Sequence, residues 1–245
     1  MAGTLGQQLH PFEQNQFSES ILHGTADLSN LNLSAFICDC IHEMCFPPGE
    51  DGSDPVSDVI SPKDFSNGFK LLSEDLSSSP SGRHIGHYKA ALRDEDLCTM
   101  YATILSLPFK HGFTLPLWTS AVQVMLEKTK GCARIDKLRV IQLLEADLNM
   151  ALRVIFGRRL VQRAEDCETI PMSQWGSWPN RSSTDAILLK RLSYDCLSLL
   201  RHSAIIFNND CKAAFDCMIP SIGGIALCRL GASSAAVSTL LQTLQ

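Results

Sequence analysis

Asp210 and Asp216 stand six residues apart in the stretch NNDCKAAFDC, directly after the apolar run Ala204, Ile205, Ile206 and Phe207. Alternation of side chains along a strand lets Phe207 pack below while a carboxylate at the strand tip faces solvent. Such a carboxylate suits a hard divalent cation such as Mg2+, which takes few protein oxygens and fills its shell with water or phosphate. Nucleotidyl transfer by two metals requires at least one further carboxylate. The local alternative is a turn begun by Asp210 and a helix capped by Asp216 ahead of Pro220, since aspartate favours both roles. On spacing alone the local roles are favoured.

Three other groups of residues carry candidate chemistry. Cys38, Cys40, His42 and Cys45 include the ligand types for zinc, but their spacing is wrong for common structural sites and they fall on a helical pattern, which favours packing. The ten cysteines are scattered through the chain and read as reduced thiols, several at apolar periodic positions. The stretch SSSPSGRHIGHYKAAL joins a Pro-Ser-Gly turn to Arg83, His84, His87, Tyr88 and Lys89 before a helix. It suits either a phosphate held at a helix N-terminus or a plain capped loop. Its two histidines lack a nearby cysteine or carboxylate to complete a metal set.

Charge is unevenly distributed. The formal net charge is −5, yet residues 1–82 hold twelve Asp/Glu against two Lys/Arg, while residues 83–245 hold fourteen against nineteen. Within 121–164 nine Lys/Arg face four acids, a patch able to neutralise phosphates or simply a solvated helix face. A 45% hydrophobic content and mean hydropathy of +0.04 describe a globular chain able to bury a core. No apolar run of eighteen residues occurs, and the N-terminus lacks the basic and apolar regions of a secretion signal, so no membrane partner is expected. The expected location is intracellular, with nucleus and cytoplasm both open.

The elements that must position these residues follow from periodicity and breakers. Residues 1–60 read as an acidic, partly disordered extension with one amphipathic helix in LSNLNLSAFICDCIHEMCF, and FPPGEDGSDPVSDVISP as a linker without helix or strand. Residues 61–120 read as a helical upstream region opened by Ser61-Pro62. Over 121–202, LWTSAVQVMLEKTKG predicts a strand ending at Lys128 with a turn at Lys130-Gly131, and KLRVIQLLEADLN a second strand from Leu138 to Leu143. A helix over 145–163 then places Leu148, Leu152 and Ile155 on one face, with Arg153, Arg158, Arg159 and Arg163 elsewhere. Ser182 and Asp185 have capping-box spacing, and Leu189, Leu192, Cys196 and Leu199 recur at helical intervals after them. Over 203–245 a strand Ala204–Asn209, a helix 221–230 ended by Gly231, and a helix Ser233–Leu244 complete the reading.

The order of these blocks carries a resemblance. D-x-K-x-A-F-D, formed by Asp210, Lys212, Ala214, Phe215 and Asp216, resembles the first palm motif of the reverse transcriptases of retrotransposons and related retroelements. Upstream, LEKTKG with Lys128 is similar to that family's first fingers strand, and LRVIQLLEADLN to its R-P-I-x-L-L stretch, with Arg139 at the arginine position. SQWGSWPNRSSTDAIL is similar to the Q-x-G-F-R-x-x-R-S-T-x-D-A segment before the long helix. Val140 stands where proline is usual, and Trp175, Ser177, Trp178 and Pro179 depart from G-F-R. The resemblance covers roughly residues 120–245.

It implies an α+β architecture: a mostly helical N-terminal region, then fingers and the first strand of a right-hand polymerase palm. It further implies that Asp210 binds catalytic Mg2+ (or Mn2+), that Lys128 and Arg139 contact the incoming triphosphate, and that Gln174 lines the nucleotide pocket. Phe215 would sit under the sugar, leaving no room for a 2′-hydroxyl, so deoxynucleotides are the expected substrates, with an RNA template and DNA primer as partners. The family's aromatic-x-Asp-Asp hairpin is absent: none of Tyr88, Tyr101 or Tyr194 precedes such a pair. The expectation is therefore a reverse-transcriptase fragment with an incomplete active site and a palm strand left as an unpaired edge. The alternative is a non-catalytic nucleic-acid-binding remnant that uses the basic 121–164 region.

Overall fold

The computed structural model describes residues 15–75, 80–132, 134–176, 181–205 and 219–244. Several of its helices begin where a short polar side chain meets a backbone N–H three residues on. Asn15 caps α1 (Gln16–Leu22), Ser34 caps α2 (Ala35–His42), and Ser61 with Asp64 forms a capping box on α3 (Pro62–Phe69). The short α4 (Ile85–Ala91) follows, then α5 (Glu95–His111), capped by Asp94 and ended by Gly112 at φ 71°.

The architecture is α+β. Strands β1 (Val122–Glu127) and β2 (Leu138–Leu143) form a two-stranded antiparallel sheet, with Val122 opposite Leu143 and Glu127 opposite Leu138. The helical bounds after β2 are α6 (Ala146–Val154), a π turn (Ile155–Leu160) and α7 (Val161–Asp166). Farther along lie α8 (Ser183–Leu199), α9 (Pro220–Arg229) and α10 (Ser234–Thr243). The chain divides into two units, Met1–Arg163 with Pro220–Gln245, and Ala164–Ile219.

The core of the first unit gathers helices from both ends of the sequence. Phe65, Phe69, Tyr88, Ala102, Leu105, Phe109, Trp118, Leu148, Ala151, Ile155 and Ala236 are buried in one cluster. Phe69 stacks on Tyr88 at 4.4 Å and Phe65 on Tyr101 at 5.4 Å between ring centroids. A second cluster joins Leu22, Leu160, Cys228, Val237 and Leu241. Helix α10 also satisfies carbonyls at the end of α5: Thr239 Oγ1 donates to Pro108 O at 2.7 Å and Gln242 Nε2 to Gly112 O at 3.0 Å.

Several elements differ from the sequence reading. The single helix expected around residues 28–46 is a 3-10 turn (Ser29–Leu31), a left-handed Asn32 at φ 47°, and then α2. No residue of α2 is buried, so Cys38 and Cys40 do not pack as core, whereas Cys98 and Cys228 do. The stretch expected as a linker has neither helix nor strand but is tied down. Arg159 donates to Ser57 O (2.6 Å), Val59 O (2.8 Å) and Asp64 Oδ2 (2.8 Å), and Arg163 to Glu50 Oε2 and Asp54 O. Ile60 behind these contacts is 2% exposed, and its N–H donates to Ser106 Oγ at 2.8 Å.

The helix predicted over 145–163 carries the π turn in its middle. Ile155 and Leu160, five residues apart, are both buried, which suits a wider i to i+5 turn. In the second unit, the Ser182–Asp185 capping box forms as its spacing predicts, with Asp185 N 3.2 Å from Ser182 Oγ and Ser182 N 3.2 Å from Asp185 Oδ2. Yet no residue of α8 is buried, and Leu189, Leu192 and Leu199 are exposed. Of the strand expected over Ala204–Asn209, Ala204 and Ile205 are irregular and the remainder lies outside the described residues.

Candidate functional site

Lys128 and Arg139 sit at the tip of the β1–β2 hairpin. The register pairs Leu126 with Arg139, and a further backbone bond, Lys128 N to Lys137 O at 3.1 Å, carries the pairing one step toward the turn. Residues directly opposite share a face, and residues two apart on one strand share it too. Leu126 and Arg139 therefore occupy one face, while Glu127 and Leu138 occupy the other, and Lys128 and Lys137 lie just beyond the paired strands, Lys137 ending the 3-10 turn Ile135–Lys137. All three cations are exposed.

No carboxylate among the described residues pairs with them. The nearest acid on β1, Glu127, is engaged elsewhere: its Oε2 accepts the Gly131 N–H at 2.7 Å and closes the turn. Gly131 has φ 82°, a conformation that the glycine after Lys130 permits. The same face continues away from the tip with Val124 and Ile141, paired in the register, giving an apolar stripe below a cationic end. Lys137 was missed by the sequence reading.

Just beyond β2 a second concentration of charge is handled in the opposite way. Glu145, the residue before α6, is fully buried and accepts from Ser81 N at 2.8 Å and Ser81 Oγ at 2.9 Å. Asp147 is 3% exposed; its Oδ1 accepts from Trp118 Nε1 at 3.0 Å and Leu148 N at 2.8 Å, and its Oδ2 lies 3.7 Å from Arg83. Burial raises the Asp147 pKa, countered by the Trp118 and Leu148 hydrogen bonds and reinforced by the charge of Glu145. Tyr88, 1% exposed, is likewise shifted upward by burial and by Asp147.

This arrangement answers the question posed by SSSPSGRHIGHYKAAL. Ser81 and Arg83 of that stretch address the chain's own carboxylates instead, Ser81 at Glu145 and Arg83 at Asp147. The 64 residues between Ser81 and Glu145 hid the pairing from any local pattern. His84 and His87 stay at the start of α4, with the His84 N–H donating to His87 Nδ1 at 3.1 Å.

Gln174 belongs to the second unit, on an exposed loop that Arg181 gathers. Arg181 Nη1 donates to Pro171 O (3.0 Å), Met172 O (3.2 Å) and Gln174 O (2.8 Å), and Gln174 Nε2 donates to Gly176 O at 3.0 Å. Asp210 and Phe215 lie outside the described residues, as does Asp216. The described residues bring no three His, Cys, Asp or Glu side chains together as a metal site. Among them no helix is long and apolar enough to cross a membrane. In comparisons with known proteins, no family model, curated protein or solved structure matches this chain.

Proposed function

We propose that this chain carries the fingers portion and first palm motif of a retroelement reverse transcriptase, an RNA-directed DNA polymerase that transfers nucleotides with two Mg2+ (or Mn2+) ions. On this reading Lys128 and Arg139 receive the triphosphate of a deoxynucleotide, and Gln174 and Phe215 shape its pocket. Asp210 supplies one carboxylate to the metals. The single observation that supports it best is the hairpin pairing, which brings Lys128 and Arg139, both exposed and eleven apart in sequence, to the same end of the sheet shortly before α6.

Within this reading the chain's own residues do a limited job. Two cations offset the negative charge of a polyphosphate, and the buried Glu145 and Asp147 hold the segment that follows β2 against Ser81, Arg83 and Trp118. Metal chemistry rests on Asp210 by resemblance alone, since the described residues hold no cation site. With no aromatic-x-Asp-Asp among the 245 residues, the purified chain extends no primer on an RNA template with Mg2+ and deoxynucleotides. Measurable incorporation would sink the claim of an incomplete site. Absence of any deoxynucleoside triphosphate binding, by equilibrium dialysis, would sink the polymerase reading itself.

The alternative, a non-catalytic nucleic-acid-binding remnant based on 121–164, is narrowed by the placement of its arginines. Arg159 and Arg163 are engaged with Asp64, Glu50 and backbone carbonyls, which leaves Arg153 and Arg158 as the exposed arginines of the helical part of this region. Binding of an RNA–DNA duplex that survives loss of Lys128 and Arg139 but not of Arg158 would favour this alternative.

A further inference from the structure

We propose that α5 is an interface helix: its exposed stripe of Leu97, Met100, Ile104 and Leu107 packs antiparallel on the same stripe of a second copy of this chain, with Asp96 of each copy against Lys110 of the other. The surface lies in the helical region upstream of the hairpin, apart from every residue assigned to nucleotide transfer.

Helix α5 is apolar on two sides. One side is core, where Cys98, Ala102, Leu105 and Phe109 are buried against neighbouring helices that include α3 and α10. On the opposite side Leu97, Met100, Ile104 and Leu107 recur at steps of three, four and three, each between 40% and 46% exposed. A helix that only walls a core carries polar residues on its outer side. Apolar residues alternating at three and four instead form the seam along which two helices pack. Pro108 is buried, and α5 continues past it to His111.

The ends of α5 decide the occupant and its direction. The first turn is acidic, with Glu95 and Asp96, and the last turn basic, with Lys110 and His111. A parallel copy would set acids against acids, whereas an antiparallel copy sets each acidic turn against a basic one. Antiparallel packing with Leu97 against Leu107 and Met100 against Ile104 closes on itself about a twofold axis, as a contact between identical surfaces requires. The flanking row of Asp96, Thr103 and Lys110, all exposed, then brings Asp96 opposite Lys110 at both ends and Thr103 opposite itself at the axis. Helix α8 is the counterexample. It exposes a similar stripe of Leu189, Leu192, Cys196 and Leu199, but the same alignment would set Asp195 against Asp195 of the second copy, which opposes pairing. The α5 seam is about 25 Å long, so the contact is one of modest affinity.

The test is sedimentation velocity of the full chain at concentrations up to about 100 μM. It compares wild type with Ile104→Glu, Asp96→Lys and Lys110→Glu variants, each checked for fold by circular dichroism. Wild type should form a dimer in a concentration-dependent way. Ile104→Glu should weaken it at least about tenfold, because a carboxylate enters the apolar seam. Asp96→Lys and Lys110→Glu, each alone, should weaken it about three- to tenfold, because each turns both flanking pairs repulsive. Mixed together, those two variants should form a heterodimer about as tight as the wild-type dimer, because both flanking pairs are then of opposite charge. A wild type that stays monomeric throughout overturns the proposal and leaves the stripe to a partner of another kind. A dimer indifferent to Ile104→Glu places the interface elsewhere and overturns it as well. A mixture no tighter than the separate variants overturns the antiparallel alignment and with it the proposal.

Discussion

The hairpin tip and the N-terminus of α6 lie a few residues apart in sequence and treat charge in opposite ways. At α6, Glu145 and Asp147 are buried and satisfied by Ser81, Arg83, Trp118 and a backbone N–H of the same unit. At the tip, Lys128, Lys137 and Arg139 are exposed and face no acid among the described residues. A buried carboxylate left without donors is costly, so the α6 group is part of what holds the fold together. An exposed cation costs little when solvated, so the hairpin group is free to serve a ligand. Substitutions at the two places should therefore diverge, one set in stability and the other in binding.

The largest effect is expected at the indole that links the core to the acids. Trp118→Ala removes a fully buried ring and the donor to Asp147, and should cost about 4 kcal/mol in urea unfolding. A cost below about 1 kcal/mol would mean that the α6 cluster is not structural in the sense argued. Next comes Asp147→Leu, which leaves the Trp118 and Leu148 donors unanswered and removes the carboxylate facing Arg83. It should cost about 3 kcal/mol, whereas Asp147→Asn keeps an acceptor oxygen for both donors and should cost much less. Equal losses in the two variants would argue that the hydrogen bonds contribute nothing.

A smaller effect is expected at Gly231, which has φ 100° and closely abuts Arg163, so that a Cβ there would overlap the Arg163 side chain. Gly231→Ala should cost about 1–3 kcal/mol through backbone strain and a displaced Arg163. Limited proteolysis should show residues 47–60 becoming cleavable; unchanged protection would detach Arg163 from the anchoring of that stretch.

The pH dependence provides a gentler probe. Because burial raises the Asp147 pKa, the folded state keeps its proton at pH values where the unfolded chain, near 3.8, has lost it. Stability from this group is therefore unaffected below 3.8 and falls as pH rises through the window between 3.8 and the raised folded value. Asp64 has the opposite sign. Burial pushes it up, but the Ser61 hydrogen bonds and the Arg159 charge bring it net below 3.8, so its contribution is present above 3.8 and lost as pH falls through the lowered value. The stability difference between wild type and Asp147→Asn should shrink or turn against wild type as pH rises from 3.8. A difference that stays flat would remove the assigned cause.

The smallest stability change belongs to the hairpin. Alanine at Lys128, Lys137 or Arg139 should shift unfolding by no more than about 0.5 kcal/mol, since each is exposed. A loss above about 1 kcal/mol at any of them would erase the contrast with the α6 cluster.

Some of this was legible without coordinates. The Ser61–Asp64 and Ser182–Asp185 boxes, the strand from Leu138 to Leu143 and the glycine after α9 are written in residues no more than a few positions apart. Lys128 and Arg139 stood out through their motifs, but their meeting at one end of the sheet needed the pairing of the two strands. The stretch 47–60 looked like a linker because its prolines and glycines forbid regular structure; that composition says nothing of the arginines more than a hundred positions away that bind its carbonyls. The heptad-like leucines of α8 predicted a helix correctly, but periodicity does not supply a partner surface, and they remain exposed.

By itself the sequence determined the local elements, their caps and turns, because these depend on dihedral preferences and on hydrogen bonds between near neighbours. It also determined the supply of charge along the chain. Tertiary structure alone decided which charges are neutralised. Ser81 with Glu145, Arg83 with Asp147 and Arg159 with Asp64 meet only when distant segments share a core. Charge compensation falls off over a few ångströms of space, and a linear pattern carries no record of such distances across sixty or a hundred residues.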